Sequence, residues 1–241
     1  VILYHGTTDH AARFALREGL SPRGETGVES NWADVSREDL VYLTTAYAPY
    51  FGLCATADGQ RFAVIEIDTD KLDLANMRPD EDFIEQALRP LESVWGDKLT
   101  TLEGRTTYAR EVLVDRYANK WRDSLEHLGT AAHVGTIPPE AITRVAFCDA
   151  EKMSGAVVTA FTDPFISIVN FRLMSEKYVG LTRWLFGGDV ETATFVFGVV
   201  VGNDFAGMEE FHGRAMFDGA RKALANREGV EVVEQGIITG V

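Results

Sequence analysis

The residues best suited to chemistry are a histidine directly before Gly6-Thr7, ending the run Val1-Ile2-Leu3-Tyr4, and a tyrosine centred in a second apolar run, Leu40-Val41-Tyr42-Leu43-Thr44. His5 carries a donor and an acceptor on one ring, and Gly6, with no Cβ, lets a ligand come close to the backbone. Tyr42 offers a flat face for stacking, with a hydroxyl able to stay hydrated at the edge of a cleft. Such groups together can hold a polar, amide-bearing ring. Each alone has a plainer reading, His-Gly-Thr as a turn and Tyr42 as core, and their joint placement favours a site. The phosphate-cradling patterns G-x-x-x-x-G-K-[ST] and G-x-G-x-x-G are absent, as are the G-x-S-x-G elbow and the H-E-x-x-H zinc helix.

The elements that must position these residues follow from apolar periodicity. Residues 1–5 form an expected strand, and a helix follows it, capped by Thr8 or Asp9, with Ala12, Phe14, Ala15, Leu16 and Leu20 apolar and Gly19 as its stop. Ser21 to Asp39 reads as a long surface loop. Leu40–Thr44 is a second strand, followed by a short helix through Tyr47 to Ala55, and Arg61 to Asp68 a third strand. Pro79-Asp80-Glu81-Asp82 is a helix start, because acidic side chains favour the positive end of the helix dipole. Leu113, Tyr117, Trp121 and Leu125 recur every four residues and predict one helix from about Thr107 to Leu128. A strand, a Pro-started turn and a further strand follow through Ala131 to Phe147. Beyond Glu151 the expected order is a strand at Ala156–Phe161, helix between Pro164 and Phe186, a strand at Thr194–Val201, a helix at Met208–Ala225 and a strand at Val230–Ile238. That order predicts an α+β chain with a first unit at 1–150 and a C-terminal α/β unit at 151–241.

Composition narrows the function classes. The 241 residues, 46% hydrophobic and 25% charged, suffice for a sizeable core. A formal charge of −14, acidic in both halves, argues against general nucleic-acid binding, which depends on Lys and Arg neutralising phosphates. Two cysteines, Cys54 and Cys148, have neither disulfide nor zinc spacing. The longest apolar runs, such as Phe195 to Val201, fall well short of the roughly 20 residues of a membrane span. A cytoplasmic protein with no membrane and no metal is expected. His10, His127 and His212 read as surface or structural, and Trp121 and Trp184 as core anchors. Lys177, Arg183 and Trp184 could approach one another at helical spacing, although an amphipathic helix pair with solvated charges explains that stretch more simply.

The string Leu3-Tyr4-His5-Gly6-Thr7, the helix ending Glu18-Gly19-Leu20, and Val41-Tyr42-Leu43-Thr44 resemble the H-Y branch of the ADP-ribosyltransferases. That branch includes the poly(ADP-ribose) polymerases, the bacterial rifampin ADP-ribosyltransferases and the RNA 2'-phosphotransferases. The likeness continues through Val64-Ile65-Glu66-Ile67-Asp68, Lys71-Leu72, Pro79-Asp80-Glu81 and Ile137-Pro138-Pro139-Glu140-Ala141-Ile142, covering roughly residues 1–148. The resemblance implies a split β-sheet core with flanking helices, and NAD as co-substrate. It implies that His5 binds the ribose beside the nicotinamide, that the Gly6 backbone holds the amide with Thr7 in support, and that Tyr42 stacks on the ring while Thr44 or Tyr50 lines the adjoining wall. Many members carry a Glu on the strand before the I-P-P segment; here the nearest candidate is His133, with Glu111 the alternative. A histidine there titrates near neutrality but supplies no fixed negative charge.

Members of that branch with a non-acidic third residue tend to transfer one ADP-ribose rather than chains, so the resemblance implies mono-ADP-ribosyl transfer from NAD to an acceptor that the residues do not identify: protein, nucleic acid or small molecule. One rival is an NAD-dependent RNA 2'-phosphotransferase, which would need arginines converging on a phosphate, with Arg13, Arg17, Arg23 and Arg144 available. A second is a catalytically silent ADP-ribose or NAD sensor. A third is an interaction module with no nucleotide site, whose melting temperature NAD would not raise.

Overall fold

The computed structural model describes residues 1–29, 36–57, 60–88, 101–153, 155–162, 179–189, 221–222 and 224–236. An α+β architecture follows from the runs above: β1 (Ile2–Thr8), α1 (Asp9–Glu18), α2 (Arg23–Thr26), β2 (Leu40–Thr44), α3 (Ala48–Cys54), β3 (Phe62–Asp68), β4 (Met77–Pro79) and α4 (Glu81–Leu88). There follow α5 (Leu102–Tyr108), α6 (Trp121–Leu128), β5 (Thr130–Val134), β6 (Ile142–Cys148), α7 (Gly155–Thr162) and β7 (Val230–Glu234). The strands form one sheet in the order β4-β5-β2-β1-β3-β6-β7, every neighbouring pair antiparallel.

β1 and β3 match residue for residue from Ile2 opposite Asp68 to Thr8 opposite Phe62. β3 is buried on both faces along almost its whole length, which is why its run is nearly continuous in apolar residues rather than alternating. On one face α1 lays Ala12, Ala15 and Leu16 against Leu3, Ile65, Val145 and Phe147. The Thr8 hydroxyl caps α1 by accepting from the Ala11 amide at 3.2 Å. The opposite face is covered by α3, α7 and a helix at 179–185, and a third cluster fills the space between β2, β5 and the helices α4 to α6.

Three expectations change. The single helix predicted over Thr107–Leu128 is broken: α5 runs on through a π-helical turn at Ala109–Leu113 to Arg116, the chain leaves helical geometry at Tyr117, and α6 starts at Trp121. The four-residue period was shared by two faces, since Leu113 and Tyr117 pack in the third cluster while Trp121 and Leu125 join Leu3 and Val41. The strand predicted at Ala156–Phe161 is the helix α7, whose Val157 and Phe161 are four apart and buried together; a short apolar run does not declare its period.

The described residues after 150 also form no separate unit. β7 extends the sheet beside β6 over five pairs, and Leu181, Trp184, Leu185 and Leu224 share a core with Tyr4, Phe62 and Ala146. Trp184 is 1% exposed, with its indole N–H donating to the Leu224 carbonyl at 2.8 Å, so it is the core anchor expected. The strand predicted at Thr194–Val201 lies outside the described residues, as do Lys177 and most of the helix predicted from Met208. Among the described residues no helix is long and apolar enough to cross a membrane, and no group of three His, Cys, Asp or Glu could hold a metal ion.

Candidate functional site

β1 and β2 are matched at one position, Tyr4 opposite Thr44, whereas β1 and β3 are matched along their full length. Past that point the ladder is interrupted by a side chain: Nδ1 of His5 lies 2.8 Å from the carbonyl oxygen of Tyr42. A carbonyl only accepts, so the proton sits on Nδ1 and Nε2 is left as an acceptor. Burial lowers the pKa of His5, and the bond to the Tyr42 carbonyl offsets only part of that. The half-buried ring is thus a neutral imidazole whose free nitrogen can receive a hydroxyl hydrogen.

Tyr42 is the neighbour expected, but not in the manner expected. Strand alternation sends His5 to the face of Leu3 and Ile65, and Tyr42 to the face of Leu40 and Thr44. The link between the two residues therefore runs through the Tyr42 backbone rather than between two side chains. Nor is the phenol without protein partners. It donates to the Glu81 carboxylate, at 2.8 and 3.0 Å from its two oxygens, and accepts the Arg37 amide at 3.2 Å. Burial raises the Tyr42 pKa well above the ordinary phenol value, and the nearby Glu81 charge adds to it, so the hydroxyl stays a neutral donor.

A charged frame surrounds this hydroxyl. Arg37 binds Asp39 at 2.6 Å and Asp115 at 2.8 Å, and Arg78 takes the other oxygen of Asp115 at 2.8 Å. The hydrogen bond from Arg37 holds Asp39 below the usual carboxylate range. At the head of α4 the opposite occurs. Burial, with the adjacent Glu81 charge, pushes Asp80 up to about 7, and burial likewise raises Glu81. Asp80 caps the helix by accepting the Asp82 amide at 2.9 Å, and its own amide donates to Ser124 Oγ at 3.0 Å.

The remaining predicted residues have other tasks. Gly6 does not open its backbone to a ligand on the α3 side: a Cβ there would run into the Ala48 carbonyl oxygen and the Gly52 amide nitrogen, so Gly6 is what lets α3 pack onto β1. Thr7 is half-buried opposite Ala63. Thr44 lines no wall. It is fully buried, its hydroxyl accepting the Ala46 and Tyr47 amides at 3.1 and 3.0 Å and donating to the Gly129 carbonyl at 2.8 Å, which fixes the corner from β2 into α3. Tyr50 is half-buried on α3 with its ring 5.5 Å from that of Phe51, four residues before the exposed Cys54.

Neither expected third residue is hydrogen-bonded to His5 or Tyr42. His133 is 3% exposed, opposite Val41 and Met77, and its Nδ1–H donates to the Gly135 carbonyl at 3.2 Å. Burial lowers its pKa, so it is a neutral interior histidine. Glu111 is exposed on the π-helical turn and paired with Arg110 at 2.8 Å. The carboxylate beside Tyr42 is instead Glu81. Its signal was present in Pro79-Asp80-Glu81-Asp82, which did start a helix, but a helix-start pattern does not say which of its acids turns inward.

No protein-family model matches the chain, and no curated protein matches it. Among solved structures the chain is similar to EcPltA, at 13% sequence identity and a TM-score of 0.32 over 61% of this chain and 75% of that one.

Proposed function

We propose that the protein is a mono-ADP-ribosyltransferase that takes NAD at the parting of β1 and β2, breaks the nicotinamide–ribose bond and passes ADP-ribose to an acceptor. The observation that carries the reading is the His5 ring standing where the β1–β2 ladder ends, pinned by the Tyr42 carbonyl with Nε2 left to accept. Nε2 accepts a hydrogen from a ribose hydroxyl and orients the sugar. The Tyr42 ring, on the neighbouring strand and the other face, gives the nicotinamide a surface, so the ligand bridges the parting. As the carbon–nitrogen bond breaks, its electron pair leaves with nicotinamide and positive charge develops on the sugar. The acceptor's nucleophile then bonds to the same carbon and gives up its proton to solvent.

The absence of a carboxylate on β5, whose sequence is Thr-Ala-Ala-His-Val, supports single transfer rather than chain growth, as the family resemblance implies. The phosphotransferase alternative is less well served. Arg13, Arg23 and Arg144 are held by Asp9, Glu38 and Glu66, so they do not converge on a common anion. Free Cys54 and Cys148 fit a reducing, cytoplasmic compartment, and the chemistry needs no metal. The test is incubation with NAD labelled separately in its nicotinamide and adenylate halves. Release of the first with transfer of the second is expected. Saturable binding without release would point to the sensor, and no binding at all would remove the nucleotide site.

A further inference from the structure

Glu81 is the carboxylate in hydrogen-bond contact with Tyr42, and it holds the phenol with both oxygens, 2.8 and 3.0 Å from the hydroxyl. A neutral acceptor would fix the ring less firmly, because hydrogen bonds to charged groups are about twice as strong as neutral ones. The same hydroxyl takes the Arg37 amide, so the ring is held from the loop before β2 and from the head of α4 at once. We infer that Glu81 is the positioning residue for the Tyr42 ring, setting the tilt at which its face meets a flat heteroaromatic ligand such as nicotinamide. This rests on the reading of Tyr42 as a stacking surface.

The groups facing Glu81 are Tyr42 from β2, Arg110 from the π-helical turn, and Asp80 and Asp82 on either side of it. Asp80 in turn faces Thr130 of β5 and Ser124 of α6. Burial raises Glu81, so it gains a proton above the ordinary glutamate range as pH falls, and its grip on the phenol weakens there.

The test compares E81Q, Y42F and the double variant with the wild type, reading kcat and KM for NAD across pH and the ring-carbon NMR signal of Tyr42 without NAD. E81Q is expected to raise KM about tenfold with kcat changed much less. The wild-type KM should climb more steeply on acidification than that of E81Q, which keeps only the rise from protonation of His5, and the double variant should be no worse than Y42F. The Tyr42 signal should move in E81Q whether or not NAD is turned over. Wild-type turnover together with an E81Q variant that has the same KM, the same pH profile and an unmoved Tyr42 signal would overturn the assignment. A moved signal in a protein that releases no nicotinamide would leave the hydrogen bond standing, and would overturn the reaction and the role in it together.

Discussion

A neutral imidazole with its proton pinned on Nδ1 can only accept at Nε2, so the ligand group at His5 must be a donor. His5→Ala removes that acceptor and should lower kcat/KM for NAD by about a hundredfold, the usual scale for losing one preorganised hydrogen bond at a reacting centre, and should also lower the melting temperature, because the Tyr42 carbonyl loses its donor. A residue-scale prediction independent of NAD concerns Asp80. Its folded pKa of about 7 lies above the ordinary aspartate value, so the folded state holds a proton that the unfolded chain has released. The resulting stabilisation is complete below about pH 4 and is lost as pH rises through about 7. Asp80→Asn keeps an oxygen for the Asp82 amide and removes the buried charge. It should be more stable than the wild type at pH 8, by about 1 kcal/mol or about 2–4 °C, and show no gain at pH 4; equal shifts at both would contradict this. That His5 and Tyr42 stand on neighbouring strands was legible, because each lies in an apolar run with β-branched residues. His133 was not, because a satisfied interior histidine and a functional one look alike until burial and partners are known.

The elements around the site are joined at two tight places. α3 lies against Gly6 so closely that Gly6→Ala must push helix backbone away from strand backbone, a steric cost of about 1–3 kcal/mol. Thr44→Val leaves the Ala46 and Tyr47 amides without their acceptor and should cost about 1–2 kcal/mol. Urea titrations of both variants check these values, and wild-type midpoints would refute the packing described. Strands with β-branched runs bounded by turn residues were readable in advance, and so were α1, with its Thr8 cap and Gly19 stop, and the Pro-started turn before β6. The break at Tyr117 and the helix at Gly155–Thr162 were not. In both, the period visible in sequence depended on which cluster each residue would enter, and tertiary packing decides that.

Across the whole molecule, the described part of the C-terminal segment closes the face that carries Tyr4. Arg144 of β6 grips Glu66 of β3 through both carboxylate oxygens, at 2.8 and 2.6 Å, and donates to the Phe186 carbonyl at 2.8 Å; the Thr182 hydroxyl donates to the Ala46 carbonyl at the β2–α3 corner. With Glu66 only 5% exposed, Arg144→Ala strands a buried charge and should cost about 3–5 kcal/mol. Unfolding should be one transition reported alike by Trp184 fluorescence and by the sheet signal, where two separate units would give two. The same wrapping packs against β1 and β3 beside the parting that faces β2. The central claim is therefore most directly tested by a crystal structure with NAD bound. The account predicts the nicotinamide ring against the face of Tyr42 with a ribose hydroxyl on Nε2 of His5; NAD bound elsewhere, touching neither residue, would contradict it.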